Sequence, residues 1–149
     1  MKIEELLHHL EPGAQVTVTN KPFQFTGKGK LTLDGGDLRY WLANDEGGML
    51  AISPDDEEIV SFERVDEELE PEDGIVLHRG KEHEFTYEDS GAVTEVIGEA
   101  SVEEDDRYGF SDYEDEDGAI VRLVTNENTG DLTAYYGHVV VEEDILPVA

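Results

Sequence analysis

The chain has 149 residues, of which 38 are acidic and 10 are basic, so its formal net charge is −28. A field of that sign repels phosphate backbones and anionic lipid. It disfavours direct binding to nucleic acid or to a bare membrane and favours basic proteins, polyamines or metal ions as partners. Cysteine is absent, which excludes disulfides, thiolate catalysis and cysteine-ligated zinc.

The acidity is unevenly distributed along the chain. Residues 1–34 contain four basic and four acidic side chains, so the whole negative excess lies from Gly35 onward. Solubility, a salt-adapted cytoplasm and mimicry of nucleic acid are three explanations that the composition leaves open. The sequence has neither the apolar core of a signal peptide nor the roughly 20 apolar residues of a membrane span. We therefore predict a cytoplasmic protein without direct membrane insertion.

One amphipathic helix is predicted at the start of the chain, over residues 2–10. Its apolar side chains follow helical spacing and form a single stripe: Ile3, Leu6, Leu7 and Leu10. Glu4 and Glu5 suit the positive end of the helix dipole, and Pro12 with Gly13 ends the helix. We expect this helix to dock on the rest of the chain rather than to pair with another chain.

From Gln15 onward, apolar and polar residues alternate, which is typical of strands with one buried face. Turn residues separate short apolar runs and predict strands over 15–18, 23–33 (with a bend or bulge at Gly27 and Gly29), 38–42, 49–52, 59–65, 75–78, 84–87, 91–100 and 132–141, with a strand–turn–strand unit within 107–128. The expected fold is mainly β: an antiparallel meander or sandwich, or a partly open barrel, of two similar halves with one N-terminal amphipathic helix.

The two halves of the sequence align with each other. At an offset of 60 the matching pairs are Val16/Val76, Lys21/Lys81, Phe25/Phe85 and Thr26/Thr86. After an 11-residue insertion near Tyr87–Ile97 the offset becomes 71, so the unit within 107–128 is the second copy of the hairpin at 38–52. At the ends the offset is 76, which places the segment from Val65 over the one from Val141. We predict one domain, 1–149, with tandem β repeats over 15–71 and 75–147 after the helix at 2–10.

Turn glycines and aromatics carry a family resemblance over most of the chain after the helix. They are Gly13 with Val16 and Val18, Phe25-Thr26-Gly27, Tyr40-Trp41-Leu42, Gly80, Gly91 to Ala100, Tyr108 to Tyr113, and Tyr135-Tyr136-Gly137 before Asp144-Ile145. This pattern resembles the bacterial family called domain of unknown function 4178, described as toastrack-like. The resemblance implies a mainly β fold without known activity, in accessories to bacterial stress or polyamine-related systems that often act with membrane-remodelling coat proteins. It transfers no site residue.

The segment Asp112–Gly118 is the strongest candidate for a calcium site. An EF-hand loop needs oxygen ligands at its first, third, fifth and twelfth positions and glycine at its sixth. With Gly118 at the sixth position, Asp115 and Asp117 fit, but Tyr113 and Val124 fall at the first and twelfth positions. A solvated hairpin turn therefore explains the segment better than a specific calcium site.

The remaining acidic and histidine clusters give weak signals for chemistry. Four carboxylate clusters fall in predicted loops, where solvation is the better explanation: Asp55–Glu58, Asp66–Asp73, Glu103–Asp106 and Glu142–Asp144. His78, His83 and His138 could converge on a metal, but no metal-binding spacing is present, and His8 and His9 do not share a helix face.

The glycine-rich segment Gly27–Lys30 is the only basic spot in the chain, but it lacks the residues and the helix that follow a phosphate loop. A β-bulge is the better explanation for its glycines. Six aromatics at strand spacing could form a binding face, although core packing is the default expectation. They are Tyr40, Trp41, Tyr108, Phe110, Tyr135 and Tyr136.

We predict no catalytic residue, no cofactor, no cofactor-binding residue and no metal ligand. The expected function is that of a non-catalytic accessory protein whose acidic β domain binds a protein partner with a basic surface. Two alternatives stay open. One is an inhibitor that mimics nucleic acid, with carboxylates at phosphate spacing on one face. The other is an enzyme or small-molecule binder with a pocket between the two β halves.

Overall fold

Strands with alternating apolar residues form a closed eight-stranded antiparallel barrel, and three further strands lie outside it. The computed structural model describes residues 1–148. Its elements are α1 (Ile3–His8), β1 (Gln15–Val18), β2 (Lys21–Leu33), β3 (Leu38–Asn44), β4 (Met49–Ser53), β5 (Glu58–Val65), β6 (Ile75–His78), β7 (Lys81–Gly98), β8 (Arg107–Glu114), β9 (Ile120–Asn126), β10 (Leu132–Val140) and β11 (Ile145–Pro147), with 3₁₀ turns at Pro54–Asp56 and Glu142–Asp144.

Closure of the barrel corrects the expected fold. The barrel order is β2-β3-β4-β5-β10-β9-β8-β7, and β7 pairs back onto β2, so neither a partly open barrel nor a sandwich forms. Strand β7 closes the barrel because it is 18 residues long: residues 84–92 pair with β8 and residues 91–98 pair with β2. The sequence predicts two separate strands here because Glu88-Asp89-Ser90 before Gly91 has the composition of a turn.

The glycines of β2 make room for another part of the chain. A Cβ atom on Gly27 would lie 2.4 Å from the Glu99 carbonyl carbon, and one on Gly29 would lie 2.4 Å from Val102 Cγ2. The segment after β7 therefore crosses directly over β2. The predicted bulge is also present, between Phe25 and Gly27 in the pairing with β3.

The barrel interior is filled by large apolar side chains around Trp41, whose ring meets Tyr108 and Phe110 edge-on at centroid distances of 6.3 and 5.6 Å. One ion pair lies among them. The Arg122 guanidinium donates two hydrogen bonds to the Asp112 carboxylate, of 2.7 and 2.8 Å, and lies 4.7 Å from the centre of the Phe110 ring. The aromatic faces and the paired carboxylate together offset the free-energy cost of removing the guanidinium from water.

The two halves pair their strands in matching registers. Val16 pairs with Phe23 in the first half, and the aligned residues Val76 and His83 pair with each other in the second. In the same way Leu42 pairs with Leu50, and their aligned residues Tyr113 and Val121 form a pair. The β2–β7 and β5–β10 pairings then join the halves on both sides of the barrel.

The corresponding hairpin turns of the two halves are built alike. The Asn44 side-chain oxygen accepts hydrogen bonds from the backbone N–H groups of Glu46 and Gly48. At the equivalent turn of the second half, Asp115 accepts from Asp117 and Ala119. Asparagine and aspartate favour such turns because their side chains can bond the backbone two residues on. The local chemistry of the sequence thus sets both turns.

The two halves exchange their tails. Leu69, which follows β5, is buried in the same cluster as Val76 of β6, in the second half. Ile145, which follows β10 and aligns with Leu69, is buried in the same cluster as Val16 of β1, in the first half. Each half therefore completes the apolar packing of the other.

Helix α1 is shorter than the predicted 2–10 and docks on the first half of the barrel. Leu6 and Leu7 are buried in a cluster with Leu42 and Ile52. The Lys28 ammonium donates a hydrogen bond to the Leu7 carbonyl, at the helix end where the dipole is negative. Within residues 1–148, no helix combines the length and the apolar character that a membrane crossing needs.

Candidate functional site

The outward sides of the two equivalent hairpins carry equivalent apolar residues. In the first half these are Leu42, Leu50 and Ile52, which lie under α1; we call this the covered face. In the second half the aligned residues are Tyr113, Val121 and Leu123, which are also buried; we call this the helix-free face. A helix covers the first face, whereas the second packs in a cluster with Leu69 of the connector and Val76 of β6.

The missing helix changes the exposure of one matched residue pair. Phe25, beside the covered face, has 1% of its surface exposed, whereas its aligned residue Phe85 has 45% exposed. Phe85 meets the Tyr113 ring at a centroid distance of 5.7 Å and so borders the helix-free face.

A groove of about 670 Å³ runs beside the helix-free face, across β8 and β9 and beside the segment after β5; we call it the acidic groove. Its apolar lining includes Leu69, Pro71, Tyr113, Leu123 and Leu132, of which Leu132 is 54% exposed and Leu69, Tyr113 and Leu123 are buried. Five carboxylate side chains also line it: Asp34, Glu70, Glu88, Asp89 and Glu127. No lysine, arginine or histidine is among the lining residues.

Two of these carboxylates are held by one arginine. Arg107 donates to both oxygens of Asp34, at 3.0 and 2.9 Å, and its Nε lies 3.5 Å from Glu127. The hydrogen bonds from Arg107 lower the pKa of Asp34, and the same contact raises the pKa of Arg107. Within residues 1–148, no basic group lies within 4 Å of the Glu70, Glu88 or Asp89 carboxylate. The Asp89 carboxylate accepts hydrogen bonds from the Tyr87 hydroxyl at 2.7 Å and the Ser90 backbone N–H at 2.8 Å, so its partners are neutral.

A second groove, of about 800 Å³, lies on the outer side of the seam between β5 and β10. Its charged lining is balanced, with three basic and three acidic side chains: Lys21, Arg64, Arg79, Glu46, Glu63 and Asp144. Arg79 lies 4.5 Å from the centre of the Tyr136 ring and donates to Glu63 at 2.6 Å. The acidic and basic side chains of this groove thus largely neutralise one another.

The residues of the candidate calcium segment point in different directions. Asp112 is buried in the barrel with Arg122, which corrects the expectation that the whole segment is solvated. Burial raises the pKa of Asp115, but hydrogen bonds from the backbone N–H groups of Ala119 and Asp117 outweigh it and lower that pKa. Asp117 accepts a hydrogen bond from Lys81. Asp112 thus stabilises the barrel interior, and Asp115 stabilises the turn.

The histidines of β6, β7 and β10 gather around one tyrosine. The Tyr136 ring lies 4.9 Å from His78, 6.1 Å from His83 and 5.5 Å from His138, measured between ring centres. Within residues 1–148, no group of three or more histidine or acidic side chains is arranged to hold a metal ion. Both ring nitrogens of the buried His78 lack a hydrogen-bond partner, and burial lowers the pKa of His78.

The other predicted acidic clusters lie mainly at the surface, as expected for solvated loops. Residues 55–58 and 103–105 are exposed, as are the acidic residues of the 66–73 connector. Glu142 is an exception, because its carboxylate accepts a hydrogen bond of 2.6 Å from the Ile3 backbone N–H. That contact ties the segment after β10 to the start of α1. His8 and His9 are exposed on the helix.

Lys28 of the basic segment is not free to bind an anion. Its side chain is mostly buried under α1, and burial lowers its pKa. Among the six aromatics, Trp41, Tyr108, Phe110 and Tyr135 fill the barrel interior, so core packing is confirmed for them. Tyr40 and Tyr136 lie outside the barrel and are half-buried.

The fold and this surface describe a closed β-barrel protein with an acidic groove on its outer side. No protein-family model, no curated protein and no solved structure matches the chain. Sequence reasoning did not find the groove because its residues come from four separate strands and several loops. The available signal was a comparison of the two copies, since a helix precedes the strands around Phe25 and none precedes those around Phe85.

Proposed function

We propose that this protein is a non-catalytic interaction protein that binds a basic protein partner through its acidic surface. The observation that carries the proposal is the acidic groove. It combines an apolar floor with five carboxylates, three of which have no cationic side chain within 4 Å among residues 1–148. An apolar centre with a charged rim is the usual composition of a protein–protein interface.

The ion pairs of the molecule support the same proposal. Within residues 1–148, only six of the 38 acidic side chains lie within 4 Å of a basic group: Asp34, Glu63, Asp112, Asp115, Asp117 and Glu127. The other carboxylates leave a strong negative field, which accelerates encounter with a cationic surface and slows encounter with an anionic one.

The resemblance to domain of unknown function 4178 stays a prediction. On that resemblance alone, we propose that the partner acts in a bacterial stress or polyamine-related system. Membership would place the protein among accessories without an activity of their own, which agrees with an interaction role.

The test is affinity capture from extract of the native host, followed by direct binding to the purified captured protein. Bound proteins are released with salt from about 0.05 M to about 1 M, a range over which the Debye length falls to about 3 Å. We expect capture of proteins with basic surfaces, which elute as salt rises and bind again when purified.

A matched pair of variants serves as control. Glu70→Gln/Glu88→Gln/Asp89→Asn neutralises the groove, and Asp55→Asn/Asp56→Asn/Glu57→Gln removes the same charge from an exposed turn elsewhere. The first variant should release the partner at lower salt than the second. Capture of no protein at any salt, or turnover of a substrate by the purified protein, would reject the proposed function.

A further inference from the structure

The hairpin formed by β6 and the first residues of β7 stands outside the barrel; we call residues 75–83 the flap. Strand β6 pairs with β7 alone, and the pairing of β7 with β8 begins only at Glu84. In the first half, the equivalent strand β1 pairs with β2 on one side and with β11 on the other. Within residues 1–148, no strand pairs with the outer side of β6. The flap is therefore held on the barrel mainly by its side chains.

The buried side of the flap contains two histidines where the first half has apolar residues. The three buried positions of the first-half hairpin are all apolar: Val16, Val18 and Phe23. The aligned positions of the flap are at least as deeply buried, with 5% of their surface or less exposed: Val76, His78 and His83. Burial of an imidazole among apolar side chains favours its neutral form. The attachment of the flap is therefore sensitive to protonation in a way that the first-half hairpin is not.

Of the two histidines, His78 is the one that the closed flap holds without polar contacts. Neither of its ring nitrogens has a hydrogen-bond partner within residues 1–148, and its ring lies 4.9 Å from the centre of the Tyr136 ring. A protonated imidazole has two N–H donors, and both would be buried without an acceptor. Burial lowers the pKa of His78, and four neighbouring groups modify this effect. Two of them increase it and two oppose it: Arg79 and His83, and Glu67 and Glu63 respectively.

His83 lies in a different environment, in which a proton has partners. Its Nδ1 atom lies 3.1 Å from the Lys81 carbonyl oxygen, and its Nε2 atom lies 3.7 Å from the Asp115 carboxylate. A proton on Nε2 would face that carboxylate and form an ion pair across the β8–β9 turn. Protonation of His83 therefore does not oppose the closed flap as protonation of His78 does.

The junction between the flap and the barrel is weak. The first pair of the β7–β8 ladder places Glu84 opposite Glu114, and like charges directly opposite each other destabilise a sheet. The register then shifts between Phe85 and Tyr87, and a strand bends at such an irregularity. Two ion pairs also fasten the flap, but both are exposed and so contribute little: Arg79 with Glu63, and Lys81 with Asp117.

We infer that the flap is an acid-sensitive switch: a proton on His78 releases residues 75–83 from the barrel and uncovers part of the helix-free face. Val76 of the flap packs in one cluster with Tyr113, Val121 and Leu123, so its departure exposes these side chains. The barrel stays closed, because residues 75–83 take no part in the pairing of its eight strands. The switch needs no binding partner and is independent of the proposed function.

The direction of the pH dependence follows from the burial of His78. In the open flap His78 meets water and has its ordinary pKa of about 6.5, whereas in the closed flap its pKa is lower. Below about pH 6.5 the open form therefore binds a proton that the closed form resists, and the equilibrium shifts toward opening. One proton changes this equilibrium by up to about tenfold for each pH unit. Above about pH 7 the effect disappears, because neither form binds the proton.

A single-thiol experiment tests the switch, because the chain contains no cysteine of its own. Val76→Cys places a thiol on the buried side of the flap, and Val16→Cys places one at the aligned position of the first half. Each thiol reacts with a pyridyl disulfide reagent when its site opens. The ratio of the two reaction rates cancels the common effect of pH on the thiol. The rates are measured at constant salt from about pH 7.5 to about pH 5, on both sides of the ordinary histidine pKa.

We expect the rate for Val76→Cys, divided by that for Val16→Cys, to rise as pH falls below about 6.5, by up to about tenfold for each pH unit. Added to both reporters, His78→Val should abolish the rise, because it installs the valine of the aligned position. His138→Val, at an exposed histidine, should leave the rise unchanged. Amide hydrogen exchange gives a second measurement on the unmodified chain: residues 75–78 should lose protection in acid relative to residues 15–18, after correction for intrinsic exchange.

Three results would overturn the switch. A rate ratio that is constant with pH, together with unchanged protection of residues 75–78, would show that the flap stays closed in acid. Equal acceleration of both thiols would show that acid loosens the whole molecule rather than the flap. A rise that survives His78→Val and disappears in His83→Phe, the change that installs the residue of aligned position 23, would assign the effect to His83 instead.

Discussion

His78 is an ionisable residue at a position where the first half of the chain has an apolar one. Its counterpart in the first half is Val18, which is buried, and His78 is buried to a similar degree with both ring nitrogens unpaired. Burial lowers the pKa of His78, an effect that Arg79 and His83 increase and that Glu67 and Glu63 oppose. The folded state therefore favours the neutral form of the His78 ring over the protonated form.

This burial predicts a loss of stability in mild acid. As pH falls through about 6.5, the unfolded chain binds a proton at His78 that the folded chain resists, so the free energy of unfolding decreases. His78→Val should remove this component, and its stability advantage over the wild type should grow as pH falls. Urea unfolding at several pH values measures it, with His138→Val as the control at an exposed histidine. An advantage that is independent of pH would contradict the prediction.

The Asp112–Arg122 ion pair is a second charged feature buried in the barrel interior. Its positions correspond to Trp41 and Ala51 of the first half, so the interior replaces an apolar pair with an ionic one. Arg122→Met should destabilise the fold by about 3–5 kcal/mol, because it leaves a buried carboxylate without its partner.

A double-mutant cycle tests this assignment. Arg122→Met combined with Asp112→Leu should recover much of the lost stability, since neither charge then remains buried. Arg107→Met, which breaks an exposed pair, should change the free energy of unfolding much less than Arg122→Met does. Additive losses for the two interior changes would mean that the residues do not act as a pair.

At the scale of elements, α1 packs tightly on the covered face. Leu6 has no exposed surface and packs against the strands beneath. Leu6→Ala should therefore reduce the free energy of unfolding by about 2–5 kcal/mol, the usual range for a truncated core leucine. Leu146→Ala, on the exposed side of β11, should change it by less than about 0.5 kcal/mol. Chemical denaturation measures both, and equal effects would show that α1 is not tightly docked.

Local chemistry made several elements predictable. The helix stripe, both Asx-type hairpin turns and most strands follow from side-chain spacing, because each depends on residues close together in the sequence. Barrel closure depends on β7 changing partners midway, and β11 is only three residues long, Ile145–Pro147. Neither leaves a local pattern. The acidic groove leaves no local pattern either, since its lining residues come from four strands and several loops.

For the whole molecule, the net charge of −28 predicts a strong dependence of stability on salt. Repulsion among unpaired carboxylates opposes the compact state, and ions screen it over a Debye length of about 10 Å at 0.1 M and about 3 Å at 1 M. The melting temperature should rise with sodium chloride over this range.

The groove-neutralised variant Glu70→Gln/Glu88→Gln/Asp89→Asn provides the internal control for this dependence. It should melt above the wild type at low salt, and the gap should narrow as salt increases, because both proteins are then screened. Thermal unfolding followed by circular dichroism measures both trends. A melting temperature that is insensitive to salt would show that the carboxylates are too far apart to interact.

The exchanged tails make the covalent link between the halves dispensable. Leu69 leaves the first half to pack on the second, and Ile145 returns from the second to the first, so the packing interface persists if the connector is cut. Two fragments divided after Glu70 should each be unfolded alone, since each lacks the strands that close the barrel. Mixed in high salt, they should assemble into a split barrel with the spectrum of the intact protein, held together by the β2–β7 and β5–β10 pairings and by the packing of Leu69 and Ile145 on the opposite halves.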